Sequence, residues 1–183
     1  MATRTLLLVR HGEYSGESLT ATGRRQAKLT ARRLSGLFVT EIHSSTMRRA
    51  IETSEIIAHR FPGIPVRRAI LLRECTPSIP HRFSKILRKL PRAAIRNDRI
   101  RADRAYRRYF RRARRKDCCD VIVCHGNLIR YFASRVLGLG IRGWGSMGTH
   151  NCGLSEIRIT SSGEALLMSS NDTGHIPKRL RTP

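Results

Sequence analysis

Two stretches far apart in this chain are built alike. Leu6-Leu7-Leu8-Val9 runs into Arg10-His11-Gly12, and Val121-Ile122-Val123-Cys124 runs into His125-Gly126. A short apolar run that breaks off at a glycine-bearing turn reads as a strand buried on both faces, the kind found in parallel sheets. Functional side chains in open α/β sheets gather just past the carboxyl ends of strands, where Arg10, His11 and His125 fall. A cation, an imidazole and a glycine that lets a ligand approach the backbone suit a phosphate.

The pattern between these strands alternates. Thr20 is a candidate N-cap for a helix carrying Ala27, Ala31 and Leu34. Val39 to His43 reads as a strand ending in Ser44-Ser45. Thr46 to His59 reads as a helix with Met47, Ala50, Ser54, Ile57 and Ala58 on one side, and Val66 to Leu72 as a strand closing with Arg73-Glu74-Cys75. From Thr76 to about Asp98 the pattern weakens, with prolines at 77, 80 and 91, and predicts an irregular excursion. Ile100 to Lys116 is expected as an amphipathic helix. Ala102, Tyr106, Tyr109 and Ala113 share one side, and Arg101, Arg104, Arg107, Arg108, Arg111, Arg112, Arg114 and Arg115 the other. A helix from Asn127 to about Leu137 follows. Strands near Leu154 to Ile159 and Glu164 to Ser169 turn at Ser161-Ser162-Gly163. Strands alternating with helices give an α/β layer fold with an antiparallel hairpin at its end. Residues 1–183 are expected to form one domain.

The formal net charge of +23 predicts affinity for anionic partners: phosphorylated groups, nucleic acid or an anionic membrane. Five of the 36 basic residues are lysines and the rest arginines, so a solvated surface in an arginine-biased proteome is the alternative explanation of the charge. Cys75, Cys118, Cys119, Cys124 and Cys152 are odd in number and lack metal-ligand spacing, so neither a disulfide framework nor a zinc site is indicated. Buried reduced thiols in a cytoplasmic protein are the expectation. No apolar run reaches the length of a transmembrane helix, and with the first strand beginning within a few residues no signal or transit peptide is expected.

Arg48-Arg49 at a helix start and Arg73-Glu74 after a strand add to the two histidines. A metal pair is the alternative use of two histidines. An arginine-rich pocket repels a divalent cation and attracts phosphate, so neither a metal nor any other cofactor is expected.

Arg10-His11-Gly12, Leu19-Thr20 with Gly23, Ser44 with Arg49-Ala50 and Glu52-Thr53, Leu72-Arg73-Glu74 and Cys124-His125-Gly126 together resemble the histidine phosphatase superfamily, also called phosphoglycerate-mutase-like. His43-Ser44-Ser45, Leu71 to Cys75, Asn127 to Tyr131 and Asn171 to His175 make the chain similar to the mitochondrial serine/threonine protein phosphatase branch. The resemblance implies a three-layer α/β/α sandwich with a mostly parallel mixed sheet. It implies His11 as nucleophile, Arg10, Arg49 and His125 as phosphoryl ligands with Gly12 and Gly126 beside them, and Glu74 as the proton donor and later base. Glu13 is another carboxylate near His11, either catalytic or a loop residue. The resemblance also places the segment between Glu74 and Val121 on the substrate side of the sheet. That branch carries an amino-terminal membrane anchor and an assembly motif, neither of which is seen in this sequence.

The function so implied is a metal-independent phosphomonoesterase acting on phosphorylated protein side chains. Small metabolites or phosphohistidine are alternative substrates. A reading of another class is a nucleic-acid or anionic-surface binding protein on a retired phosphatase scaffold, reaching its partner through the Arg101 to Lys116 helix. A homo-oligomer is compatible with the sequence.

Overall fold

The computed structural model describes residues 2–183. β1 (Arg4–Arg10) leads through a small ribbon, β2 (Tyr14–Ser15) and β3 (Ser18–Leu19), into α1 (Ala21–Leu34). Next come β4 (Glu41–Ser45), α2 (Arg48–Ala58), β5 (Val66–Ala69), α3 (Ser84–Leu87), α4 (Arg92–Tyr109), β6 (Cys118–Cys124), α5 (Gly126–Val136), β7 (Leu154–Ile159) and β8 (Ala165–Asp172). One six-stranded sheet runs β5-β4-β6-β1-β7-β8. The first four strands are mutually parallel, and β7 and β8 are antiparallel to their neighbours.

The two apolar runs pair directly. β1 lies beside β6 in a register that matches Arg10 with Cys124, so the following histidines leave the sheet together. Both runs are buried on both faces. Leu6, Leu8, Ile122 and Cys124 pack against Ala102, Ala105 and Tyr109 of α4 and Leu128 and Phe132 of α5. Leu7, Val9, Val121, Val123 and Ile42 pack on the opposite face against Ala31 and Leu34 of α1 and Ala50 and Ile57 of α2. Full burial of such a side chain contributes roughly 1.5–3 kcal/mol, and this alternation is what makes the three α/β/α layers.

Several expected boundaries move. β5 stops at Ala69, and a 3-10 turn at Ile70–Leu72 delivers Arg73 and Glu74. The excursion from Thr76 to Asp98 contains a 3-10 turn at His81–Phe83, the short α3 and the first turns of α4. The helix expected at Ile100 to Lys116 is instead Arg92–Tyr109, starting directly after Pro91. Only Ala102, Ala105 and Tyr109 of α4 are buried, so its first turns carry little apolar period. It ends because Phe110 turns back, with φ −89° and ψ 58°, to stack on Tyr106 at 4.1 Å and meet Phe132 edge-on at 5.1 Å. Residues 111–116 are therefore irregular chain.

That change moves the arginines. α4 runs from the carboxyl ends of the strands, where Arg101 touches the Glu74 segment, to the amino ends, where Tyr109 packs on His43 at 5.1 Å. Arg111 gives its carbonyl to Nη1 of Arg4, the first residue of β1, at 3.4 Å. At about 3.3 Å per strand residue, this lies about 20 Å from His11. The expectation that the whole basic segment lies on the substrate side is thus corrected. Arg101 is on that side; Arg108 and Arg111 to Arg114 are not.

Candidate active site

The carboxyl ends of β1, β4 and β6 converge. His11 N–H donates to the Cys124 carbonyl at 3.0 Å, and the His11 and His125 ring centroids are 5.0 Å apart. The glycines explain the closeness. A Cβ on Gly12 would stand 2.6 Å from the Gly23 carbonyl oxygen, and one on Gly126 would stand 2.8 Å from Thr149 Oγ1 and 3.4 Å from Arg10 Nε. The loop after β1 is pinned to both flanking helices. Thr53 Oγ1 accepts from Gly12 N–H at 3.0 Å and donates to the Arg49 carbonyl at 2.7 Å. Gln26 Oε1 accepts from Glu13 N–H at 2.7 Å, and Asn151 Nδ2 donates to the His11 carbonyl at 3.0 Å.

These contacts set the His11 tautomer. Nδ1 lies 2.9 Å from the Gly12 carbonyl, which only accepts, so Nδ1 carries the proton. Nε2 is left with its lone pair, and Arg49 Nε–H points at it from 3.0 Å. The ring is 2% exposed, and burial, reinforced by Arg49 and Arg10, pushes its pKa down to about 3 against the pull of the Gly12 carbonyl. His11 is therefore neutral at physiological pH, its unprotonated Nε2 accepting from Arg49 Nε–H.

His125 is fully buried, and its Nε2 sits 2.8 Å from Ser45 Oγ. The Ser45 hydroxyl already accepts from Met47 N–H at 3.2 Å, so its own hydrogen is free for Nε2. In that arrangement Nδ1 of His125 keeps its proton, and Nδ1 has no hydrogen-bond partner among the described residues. Arg10 Nε is likewise buried and unpartnered, while its Nη1 donates to the Thr149 carbonyl at 2.6 Å. Buried donors left unpaired cost about 1–3 kcal/mol each, and a phosphoryl oxygen would satisfy them. Burial, then His11, Arg49 and Arg10, hold the His125 pKa down to about 2. The helix α5 starts at Gly126, so its amino-terminal amides add a further attraction for negative charge.

Glu74 shares a cleft of about 360 Å³ with Arg10, Arg82, Phe83, Gly126 and Arg130. Desolvation raises its pKa, opposed by the Cys75 amide and by Arg10, Arg130 and Arg49. Arg101 fixes this segment, donating to the Arg73 carbonyl at 2.5 Å and the Glu74 carbonyl at 2.7 Å. The residues expected from the sequence thus come together: Arg10, His11, Gly12, Arg49, Glu74, His125 and Gly126. Glu13 has a different task. Its carboxylate accepts from Thr20 Oγ1 at 2.6 Å, beside the cap of α1. Ser45, Arg101 and Arg130 were not among the expected site residues. Arg130 carried a signal, since it lies one helical turn after Gly126 and faces the same end of the sheet.

The sequence profile of the histidine phosphatase superfamily (branch 1) matches residues 6–94 and 93–172. The chain belongs to the histidine phosphatase superfamily. It is 37% identical over 186 residues to "Serine/threonine-protein phosphatase Pgam5, mitochondrial" of Caenorhabditis elegans, covering 96% of this chain and 65% of that one. It is 34% identical over 189 residues to the human protein of the same name, again covering 96% and 65%. The chain therefore spans 65% of the length of these curated relatives. Among solved structures, a phosphoglycerate mutase from Plasmodium falciparum superposes with a TM-score of 0.70 at 28% identity, covering 97% of this chain and 96% of that one. A mycobacterial glucosyl-3-phosphoglycerate phosphatase shares the fold with a TM-score of 0.68 at 22% identity, covering 93% and 100%. As in this superfamily, the histidine phosphatase fold here is a mostly parallel mixed sheet between helical layers. The relatives are named mitochondrial, which overturns the expectation of a cytoplasmic protein. Reduced cysteines had suggested the cytoplasm, and they do not separate it from other reducing compartments. Among the described residues all five cysteines are free, and no helix is long and apolar enough to cross a membrane.

Proposed function

We propose that this chain is a metal-independent phosphomonoesterase working through a phosphohistidine on His11, with phosphorylated protein side chains as substrate. The observation that carries the proposal is the state of His11: Nδ1 tied to the Gly12 carbonyl, Nε2 unprotonated and facing the Arg49 guanidinium. Nε2 attacks phosphorus, the bond from phosphorus to the ester oxygen breaks, and the phosphoryl group moves to His11. Arg10, Arg49 and His125 Nδ1–H donate to the equatorial oxygens as charge spreads over them. Guanidinium groups here meet the negative charge that a metal ion meets in other phosphatases.

Glu74 gives its proton to the departing oxygen. Its raised pKa keeps that proton available above the ordinary carboxylate range. As carboxylate it then takes a proton from water, whose oxygen attacks phosphorus, and His11 leaves as the neutral imidazole. Phosphate departs, and Glu74 is protonated again. The proximity of Arg10, His11, Arg49 and His125, with Glu74 in the adjoining cleft, favours a working enzyme over the retired-scaffold reading. Protein substrates and a mitochondrial setting rest on the relatives' names, and the open cleft with Arg82 and Arg130 at its wall suits an extended acidic ester.

Hydrolysis of an aryl phosphate without added metal tests the proposal. The rate should survive chelator and be inhibited by vanadate, and phosphoserine and phosphothreonine peptides should outcompete small sugar phosphates. A rate that collapses with chelator and returns with a divalent ion contradicts it.

A further inference from the structure

At the amino ends of the strands, opposite the catalytic cleft, lies a second concavity of about 320 Å³. Arg4, Arg108, Arg111, Arg112 and Arg114 line it, with Glu41 and His43. Its floor is fixed. Arg4 donates to Asp120 through Nε at 2.8 Å and Nη2 at 2.5 Å, and reaches the Arg111 carbonyl through Nη1. The carboxylates in the floor are engaged: Glu41 with His43 at 2.9 Å and Arg67 at 3.7 Å, Asp120 with Arg4 and with Thr40 Oγ1 at 3.0 Å. Glu41, His43 and Asp120 approach one another closely enough to hold a metal, but arginines already occupy their oxygens and repel a cation. The rim is the reverse. Among the described residues Arg108, Arg111, Arg112 and Arg114 have no carboxylate partner, and all four are exposed.

We propose that this pocket binds a compact polyanion bearing two or more linked phosphate groups, separately from the catalytic site. Four guanidinium groups without a carboxylate partner surround one concavity, Arg111 keeping its Nη groups free of the Nε bond to the Arg107 carbonyl at 2.9 Å, and together they match several phosphate oxygens where a single surface arginine would not. The volume is that of a small-ligand pocket. Single-stranded nucleic acid is disfavoured as occupant, because the rings in the wall are not available for stacking: Tyr109 is 3% exposed and His43 is 6% exposed. The irregular course of residues 111–116 is what makes the pocket, since a continuing helix would carry Arg112 and Arg114 to different faces.

Isothermal titration of inorganic tripolyphosphate into the full His11→Ala chain tests this, with ATP as a second probe for a polyphosphate carried on a nucleoside. Binding that survives Arg49→Gln, and so lies outside the catalytic cleft, is expected. It should weaken at least 10-fold when Arg111, Arg112 and Arg114 are all changed to Gln, and more in Arg112→Glu alone than in Arg112→Gln. A charge-matched control, Arg25, Arg33 and Arg60 to Gln, should keep the parent affinity, as should Arg49→Gln. With His11 restored, the Arg111/Arg112/Arg114 variant should hydrolyse aryl phosphate like the parent, which shows that it is folded. The proposal is overturned if the parent binds neither probe, if the control loses as much affinity, or if Arg49→Gln alone abolishes binding and thereby places it in the catalytic site.

Discussion

Arg49 Nε–H lies 3.0 Å from His11 Nε2, so a guanidinium is hydrogen-bonded to the atom that carries the lone pair. This contact adds to burial in keeping His11 unprotonated and holds its ring still, and in the proposed mechanism it places a guanidinium where the phosphoryl oxygens arrive. Arg49→Lys keeps the charge but loses the planar fork. Removing one such preorganised donor costs roughly 10²–10³ in kcat. Steady-state kinetics on an aryl phosphate should show that loss with thermal stability nearly unchanged. A rate within threefold of the parent would mean that the contact is structural only.

Glu74 has a separable signature. Glu74→Gln should slow alkyl phosphates by roughly 10²–10⁴, the usual worth of a positioned acid, and aryl phosphates with good leaving groups much less. The parent's rate on alkyl phosphates should fall on the alkaline side, as the raised Glu74 carboxyl loses its proton, and the variant should lack that limb. Leaving-group dependence that is the same in both proteins would take Glu74 out of the proton-transfer role.

Both site histidines were legible in the sequence, because a buried strand that ends in a polar turn shows itself in apolar runs. The roles expected of Arg49 and Glu74 came from the resemblance of Arg49-Ala50 and Leu72-Arg73-Glu74 to superfamily motifs. Other features were not legible. Ser45 acts through the hydroxyl hydrogen it gives to His125 Nε2, left free because its oxygen already accepts from Met47 N–H, a relation across a turn that no periodicity reports. Arg101 looked like one more cation on a basic stripe, yet it grips the carbonyls of Arg73 and Glu74. The helix boundary was missed for a physical reason too. Phe110 leaves the helix for ring contacts with Tyr106 and Phe132, and tertiary packing overrides a continuing helical pattern.

The two buried imidazoles also set how stability responds to acid. The unfolded chain takes up protons at these residues near pH 6.5, but the folded chain does so only near 3 at His11 and near 2 at His125. Their contribution is fully present above pH 6.5 and is lost on acidification toward pH 3, at up to roughly 1.4 kcal/mol per pH unit for each. Glu74, raised in the folded state, works in the opposite sense just above its ordinary value. Urea midpoints between pH 7 and 4 should fall steeply in the parent. They should fall less steeply when His11 and His125 are both Asn; His43 and His175, also lowered, keep some slope. Parallel curves would contradict the burial argument.

Gly23 packs against the chain beside His11. A Cβ there would stand 2.0 Å from the Glu13 carbonyl oxygen, and the obstacle is backbone. Gly23→Ala should therefore cost at least ~2 kcal/mol of stability and displace His11, lowering kcat as well. Gly36→Ala, at an open position with nothing within 4 Å, should be neutral or gain a few tenths of a kcal/mol. Thermal unfolding of the two variants side by side checks the contrast.

The phosphoenzyme itself tests the account most directly. A rapid quench with radiolabelled substrate, followed by peptide mapping, should find one phosphoryl group on His11, attached at Nε2, labile in acid and stable in alkali, and absent from His11→Ala. Label on a serine or cysteine, attachment at Nδ1, or an acid-stable phosphoenzyme would contradict it.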